Sequence, residues 1–274
     1  MFSTNPLVLR VLKSLREKTF FIKLHNRISR TKYVPSPEAG LDQFLAEHYP
    51  GEDWKHLSRN AKQIWIDLSP LFTELKIQNI AYVGAHEGEI ALAMDEAFPG
   101  RQFYLLEPVP ATYQELMTNV SSRPNMECFN LAAGAKDEEL EIFADDFSPA
   151  SSFLPYEKKA LQEFPYLGRG RTVRVGVKAL DQILDECGAE KIDLLIMDVQ
   201  GYEDRVLQGA VRAVKTCKAV ISELSLQAIY AGGSTFDSVY QALVREGFRL
   251  QQFMNPIPGV NRRILQIDGV FIRN

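Results

Sequence analysis

The feature that most limits what this chain can become is a change of rhythm at Asn79. From there onward, short apolar runs alternate with stretches of helical periodicity, the pattern of a mostly parallel sheet covered by helices on both faces. The apolar runs predict strands at 79–84, 103–107, 126–131, 192–198, 218–223, 248–254 and 264–272. Helices are expected between them at 88–98, 110–121, 178–187, 203–213 and 235–246. Only Asn255-Pro-Ile-Pro-Gly-Val260 separates the last two strands, too little chain for a helical crossover, so they form an antiparallel hairpin at the sheet edge. Upstream, Pro35-Ser-Pro37 breaks the chain, and helices are read at 38–49 and 58–76. This gives a basic arm (1–34), a helical preface (35–78) and an α/β domain (79–274).

Composition bounds the function. Of the 274 residues, 46% are hydrophobic and 24% charged, as in an ordinary globular chain. No apolar run approaches the roughly 18 residues a spanning helix needs. Eight of the 31 Lys and Arg lie in residues 1–34 beside a single acid, Glu17. The rest of the chain is therefore acidic, which argues against nucleic-acid binding, since that requires a basic face. The arm spaces Val8, Val11, Leu12, Leu15, Ile22 and Leu24 at helical intervals between its cations. It suits peripheral contact with an anionic membrane, a processed targeting segment, or a helix packed on the acidic body. Three cysteines, Cys128, Cys187 and Cys217, without CxxC spacing form no disulfide framework and fit a reducing, cytoplasmic setting.

The chemistry gathers at strand ends. The first strand runs into Ile80-Ala-Tyr-Val-Gly84-Ala-His-Glu-Gly88 and then a helix. Glycine lets the backbone turn sharply there, and the helix N-terminus offers free N–H groups. Glu107 closes the next strand, 23 residues past Gly84, placed to accept the two hydroxyls of a ribose. The turn lacks the G-x-G-x-x-G that grips a pyrophosphate, which weighs against an NAD enzyme and favours a nucleoside ligand such as S-adenosylmethionine. In Ile192-Asp-Leu-Leu-Ile-Met-Asp198 a buried strand ends in an acid, and Asp198 should face the same crevice. Glu203, opening the next helix, is equally suited to capping it. Glu223 ends the following strand in the same way as Asp198. Such carboxylates suit proton removal, a sulfonium ligand or a hydrated cation. His86 lies within the glycine turn, beside the ligand or as an acid–base group, although a turn histidine also often only bonds backbone. No His/Cys cluster has transition-metal spacing, and no residue is assigned as a metal ligand. The long aromatic-bearing stretch 145–170 reads as a lid or a surface hairpin.

Taken in order, these pieces resemble the FkbM family of S-adenosylmethionine-dependent methyltransferases. Val83-Gly-Ala-His-Glu-Gly88 is similar to the family's DVGANxG, Leu106-Glu-Pro108 to its EP, and Asn130-Leu-Ala-Ala-Gly134 to its NxAxG. Ser151-Ser152, Ala179-Leu-Asp-Gln-Ile-Leu184 and the block 192–209 resemble its later motifs. Three positions depart from the pattern: Tyr82 for the opening aspartate, Met197 for a lysine and Gln200 for a glutamate. The resemblance implies a class I methyltransferase (Rossmann-like) fold, with seven strands and the last antiparallel. It also implies cofactor contacts at Tyr82, Gly84, Ala85, Gly88, Glu107, Pro108, Asn130, Ala132, Ala133 and Asp198. The catalytic candidates are Asp198, His86 and Glu223, and the expected acceptor is a hydroxyl of a glycan or small metabolite. The alternative is a catalytically silent binding protein on the same fold.

Overall fold

A computed structural model describes residues 39–49, 52, 54–260 and 262–274, so the basic arm lies outside the described residues. The chain divides into two compact units, 1–52 and 53–274. Within the first unit, residues Ala39–His48 form a helix, in which the rings of Phe44 and His48, one turn apart, stack at 4.2 Å. No helix among the described residues is long and apolar enough to cross a membrane.

The second unit begins with a helix, Arg59–Leu75, whose N-cap Ser58 accepts the Ala61 N–H through its side chain. This helix, read from the sequence as part of a preface, packs with the α/β body: Phe72 stacks on Phe98 with ring centroids 3.9 Å apart. Ten strands follow among the described residues: β1 (Asn79–Val83), β2 (Gln102–Leu106), β3 (Met126–Phe129), β4 (Ala132–Ala133), β5 (Glu138–Asp145), β6 (Gly170–Lys178), β7 (Leu194–Met197), β8 (Ala219–Ser225), β9 (Phe248–Pro258) and β10 (Ile264–Arg273). Seven of them form one sheet in the order β3-β2-β1-β7-β8-β10-β9. β1 is parallel to β2 and β7, and β7 to β8. β10 runs antiparallel to both β8 and β9, as the short connection requires. Order reverses between β1 and β7, which opens a crevice at their carboxyl ends, the usual ligand position in such sheets.

The sheet is buried on both faces, so its central strands are almost wholly apolar. Ala81, Val83, Leu195, Met197 and Val220 share one core with Leu180, Ile183, Ala213 and Val214 from the covering helices. Asp193 pins the entry of the first strand. Its carboxylate accepts the N–H groups of Gln78 and Asn79 at 2.9 and 3.1 Å and pairs with Lys218 at 3.0 Å, and these partners hold its pKa low against the cost of its burial.

Two readings are corrected. A second sheet, in the order β4-β6-β5, occupies a region expected to be strand end and loop. The strand expected at 126–131 stops at Phe129, and Ala132–Ala133 joins the second sheet instead. β5 and β6 are rich in Glu and Arg, because only one face is covered, by Ile142 and Val175 packing with Val109. The helix expected over 203–213 is also two helices, Glu203–Gln208 and Val211–Thr216. It breaks at Gly209 because the chain there presses on Gly134, whose carbonyl oxygen would lie 1.9 Å from any Cβ at 209.

Candidate functional site

A cleft of about 620 Å3, counting the open solvent at its mouth, lies at the carboxyl ends of β1, β2 and β7. Gly84 starts it. The residue has φ +83°, and a Cβ would lie 1.9 Å from the Asp198 carbonyl oxygen, so only glycine lets the exit of β1 lie against that of β7. The N–H groups of Gly84 and Ala85 both bond the Leu106 carbonyl, which ties this turn to the end of β2.

Glu107 follows at once and is 6% exposed. One carboxylate oxygen accepts the Val109 N–H at 2.9 Å and the other the His86 N–H at 3.2 Å. Each oxygen keeps a lone pair for a ligand. Burial raises the Glu107 pKa to about 7, against the lowering effect of the Val109 N–H and of His86. The Asn130 amide donates to the Glu107 and Pro108 carbonyls at 2.9 and 3.0 Å, fixing the loop that carries the acid. Leu131, Ala132, Ala133 and Val109 form an apolar wall beside it.

The other wall comes from the excursion after β5. A 3-10 turn, Ser148–Ala150, brings the Ser148 hydroxyl to 2.8 Å from His86 Nε2. His86 Nδ1 faces Glu89 at 3.4 Å. Burial works against a charged His86 ring, but the bond to Glu89 and the charges of Glu89, Glu87 and Glu107 carry its pKa above the usual value. His86, Glu87 and Glu89 each bring a ligand atom within 4.8 Å of the others, the one such set among the described residues. The linear spacing of His and Cys gave no sign of it.

Beyond Asp198, which lines the cleft, the sheet carries further acids that do not. Glu223 and Asp268 face each other directly across β8 and β10, so their side chains share one face. Asp198 follows Met197, the partner of Ser222, and so falls beside Glu223. Asp198 Oδ1 accepts the Gln200 amide at 2.6 Å, and Gln200 in turn accepts the Tyr230 hydroxyl at 2.8 Å. Gln266 donates to Glu223 at 2.7 Å and Asn255 to Asp268 at 2.8 Å. Burial raises every carboxyl in the group. Glu203 and Asp268 reach about 7, and Glu223 is pushed well up, first by burial and then by repulsion from Asp198, Glu203 and Asp268. Asp198 is also raised by burial, opposed by Gln200 and His86.

Of the residues expected from the sequence, Gly84, His86, Glu107, Pro108, Ala132, Ala133 and Asp198 line the cleft together. Ala85 and Tyr82 are buried, at 3% and 6% exposure, and neither lines it. Gly88 backs onto Leu116 and Val120, Asn130 braces the Glu107 loop from outside the lining, and Glu223 sits in the acid row. Sequence reasoning missed Asp268, whose lone acid in an apolar strand was the available signal. It also missed Ser148 and Tyr230, which only the tertiary fold brings to the site.

Residues 83–250 match the Methyltransferase FkbM domain. The chain is 26% identical over 161 residues to the 2-O-methyltransferase NoeI of Sinorhizobium fredii (strain NBRC 101917 / NGR234), covering 55% of this chain and 64% of the relative. It is 30% identical over 155 residues to the methyltransferase sdnD of Sordaria araneosa, covering 47% and 59%. The matches thus span less than two thirds of either relative. Among solved structures, the chain is similar to the N-terminal domain of EvdMO1 with SAH bound, at a TM-score of 0.44 and 11% identity, covering 82% of this chain and 85% of that one.

Proposed function

Since the chain belongs to the FkbM methyltransferase domain family, whose cofactor is S-adenosylmethionine, we propose that it methylates a hydroxyl oxygen on a glycan or small metabolite. The observation that carries the reading is the buried Glu107 carboxylate, fixed by two backbone N–H groups at the mouth of the Gly84 turn with lone pairs still free. That donor set fits a nucleoside. A carboxylate accepts both ribose hydroxyls, the wall of Leu131, Ala132 and Val109 suits a purine face, and the tight Gly84 turn leaves room beside Asp198. The cofactor supplies an electrophilic sulfonium methyl when bound.

The protein's own part is binding, orientation and proton removal. Glu107, Pro108, Ala132 and Ala133 hold the nucleoside, and the turn from Gly84 to Gly88, with Tyr82 and Ala85 behind it, holds the amino-acid end. Asn130 positions the Glu107 loop. Asp198 has one oxygen bound to Gln200, and burial raises its pKa, which makes it a stronger base than an exposed carboxylate, so it suits both orienting an acceptor hydroxyl and taking its proton. His86, bonded to Ser148, closes the cleft and offers a second proton acceptor, while Glu223 supports Asp198 from the acid row. Oxygen as the acceptor atom is favoured by the likeness to one relative, a 2-O-methyltransferase.

Calorimetric titration with S-adenosylmethionine and S-adenosylhomocysteine tests the site. Glu107→Ala should weaken both by roughly 10- to 100-fold, the worth of one or two charge-assisted hydrogen bonds, with the fold retained by circular dichroism. Unchanged affinity would remove Glu107 from the site. Transfer of labelled methyl to hydroxylated acceptors, followed by identification of the methylated atom, tests the chemistry.

A further inference from the structure

We propose that Gln200 is a positioning residue for methyl transfer: its amide orients the Asp198 carboxylate, and Ser152 and Tyr230 hold that amide, so that the acid and the wall of the cleft are set together. The proposal rests on the methyltransferase reading and adds to it a residue that acts through Asp198. Three observations carry it.

The first is the backbone of the turn. Asp198 and Gln200 both line the cleft. Gln200 has φ +52° and the next residue, Gly201, φ +92°. A residue with a side chain enters that left-handed region at a cost, and such strain persists only where the surroundings impose it. Two left-handed residues in succession fold the chain back after β7 and bring the Gln200 amide to 2.6 Å from Asp198 Oδ1. A Cβ at Gly201 would lie 3.1 Å from the Tyr230 ring, so that ring packs directly on the turn.

The second is the direction of the amide. An ionised carboxylate only accepts hydrogen bonds, so the NH2 of Gln200 must face Asp198 and its oxygen must face Tyr230. The Tyr230 hydroxyl lies 2.8 Å from that oxygen and 3.1 Å from the Ala150 carbonyl, and shares its single proton between them. Asp198 thus receives a donor that fixes the rotation of its carboxylate and favours its charged form. A glutamate at 200 would instead set a second acceptor against it.

The third is anchorage. The Ser152 hydroxyl donates to the Gln200 carbonyl at 2.8 Å, and Ala150, whose carbonyl faces Tyr230, belongs to the same segment. Ser148, Ser151 and Phe153 of that segment line the cleft, and its Tyr156 packs on Tyr230 with ring centroids 5.1 Å apart. Ser152 and Tyr230 are 3% and 2% exposed. The bonds that run from this wall to Asp198 are therefore shut off from water, where each is worth more than at a surface.

The test reads the Asp198 carboxyl directly, by 13C NMR of the full chain labelled at its aspartate carboxyls, with the signal assigned by its loss in Asp198→Asn. The other charged groups that act with Asp198 are His86 after β1, Glu107 after β2, Glu203 after β7, Glu223 on β8 and Asp268 on β10. The phenols of Tyr82 and Tyr230 face it as well. All of these except Tyr230 stay the same in every variant compared. Gln200→Leu should move the Asp198 titration to higher pH, and Tyr230→Phe, which removes no bond to Asp198, should move it the same way by less. In the Gln200→Leu background, Tyr230→Phe should add nothing. An unmoved titration in folded Gln200→Leu, or a Tyr230→Phe effect that survives in that background, would overturn the proposal. If circular dichroism shows Gln200→Leu to be unfolded, Gln200→Glu, which keeps the size and the acceptor for Tyr230, takes its place, and an unmoved titration there overturns the proposal equally. In labelled-methyl transfer, Gln200→Leu should lower kcat at least ~10-fold, the worth of one bond to a charged group, with KM for S-adenosylmethionine changed far less. An unchanged kcat would also overturn it. Unmodified protein that transfers no methyl would instead undo the transfer reading, and the carboxyl titration would still decide whether Gln200 holds Asp198.

Discussion

Glu107 and Gly84 show how much of the site rests on single residues. The proposed ribose contact needs an ionised Glu107, yet burial holds its pKa near 7. Affinity for S-adenosylhomocysteine should therefore be flat above neutrality and fall as pH drops below about 7, by up to ~10-fold per pH unit if ionised Glu107 alone binds. Titration calorimetry between pH 5.5 and 8.5 reads this directly, and a pH-independent affinity would detach Glu107 from the ligand. Gly84 is held by sterics instead of charge. Gly84→Ala would press a methyl group into the Asp198 carbonyl at a left-handed φ. It should cost at least ~2 kcal/mol by chemical denaturation and abolish cofactor binding. Both residues were legible from the sequence, because a glycine leaving a strand and an acid ending the next one have few other reasons to occur together.

At the scale of elements, the excursion after β5 decides how the cleft closes. Asp145 organises it. Its carboxylate accepts the Phe147 N–H at 2.8 Å, the Gly168 N–H at 2.7 Å and the Tyr156 hydroxyl at 3.0 Å. The Tyr156 hydroxyl shares its single proton with the Ala150 carbonyl, 2.7 Å away, and the ring packs on Tyr230. The 3-10 turn that presents Ser148 to His86 is thus fastened to the body through two tyrosines. Tyr156→Phe should lower stability by about 1 kcal/mol and speed proteolysis within 145–170, while Ser148→Ala should leave stability unchanged and raise the dissociation rate of S-adenosylhomocysteine in stopped-flow measurements. The sequence located this segment and its aromatic residues but not its strands. β5 and β6 carry charges at most outward positions and bury few side chains, so their alternation does not stand out from a polar loop. The break at Gly209 was equally hidden, since only contact with Gly134, 75 residues earlier, forbids the helix from continuing.

For the molecule as a whole, buried acids set the response to pH. Glu107, Glu203 and Asp268 have folded pKa values near 7, above the roughly 4 to 4.5 of an unfolded chain. Between those values the native state holds more protons than the unfolded state, so stability falls as pH rises through the window. His86, also raised, pulls in the same direction. The groups held low, such as Asp193, act only in stronger acid, where stability is lost as pH falls through their folded pKa values. Without ligand, the thermal midpoint should therefore be higher at pH 5.5 than at pH 8, and Asp268→Asn should flatten the difference. Differential scanning calorimetry across that range checks both.

The sequence by itself determined the seven-stranded sheet, its antiparallel last strand and the Gly84, Glu107 and Asp198 strand ends, because burial on both faces and sharp exits from strands demand particular residues locally. Only the tertiary structure decided that β10 would slide between β8 and β9 to set Asp268 opposite Glu223, and that Ser148 would reach His86. Each of these depends on register and crossing between segments far apart in the chain, and no local preference of a residue encodes which distant partner it will meet.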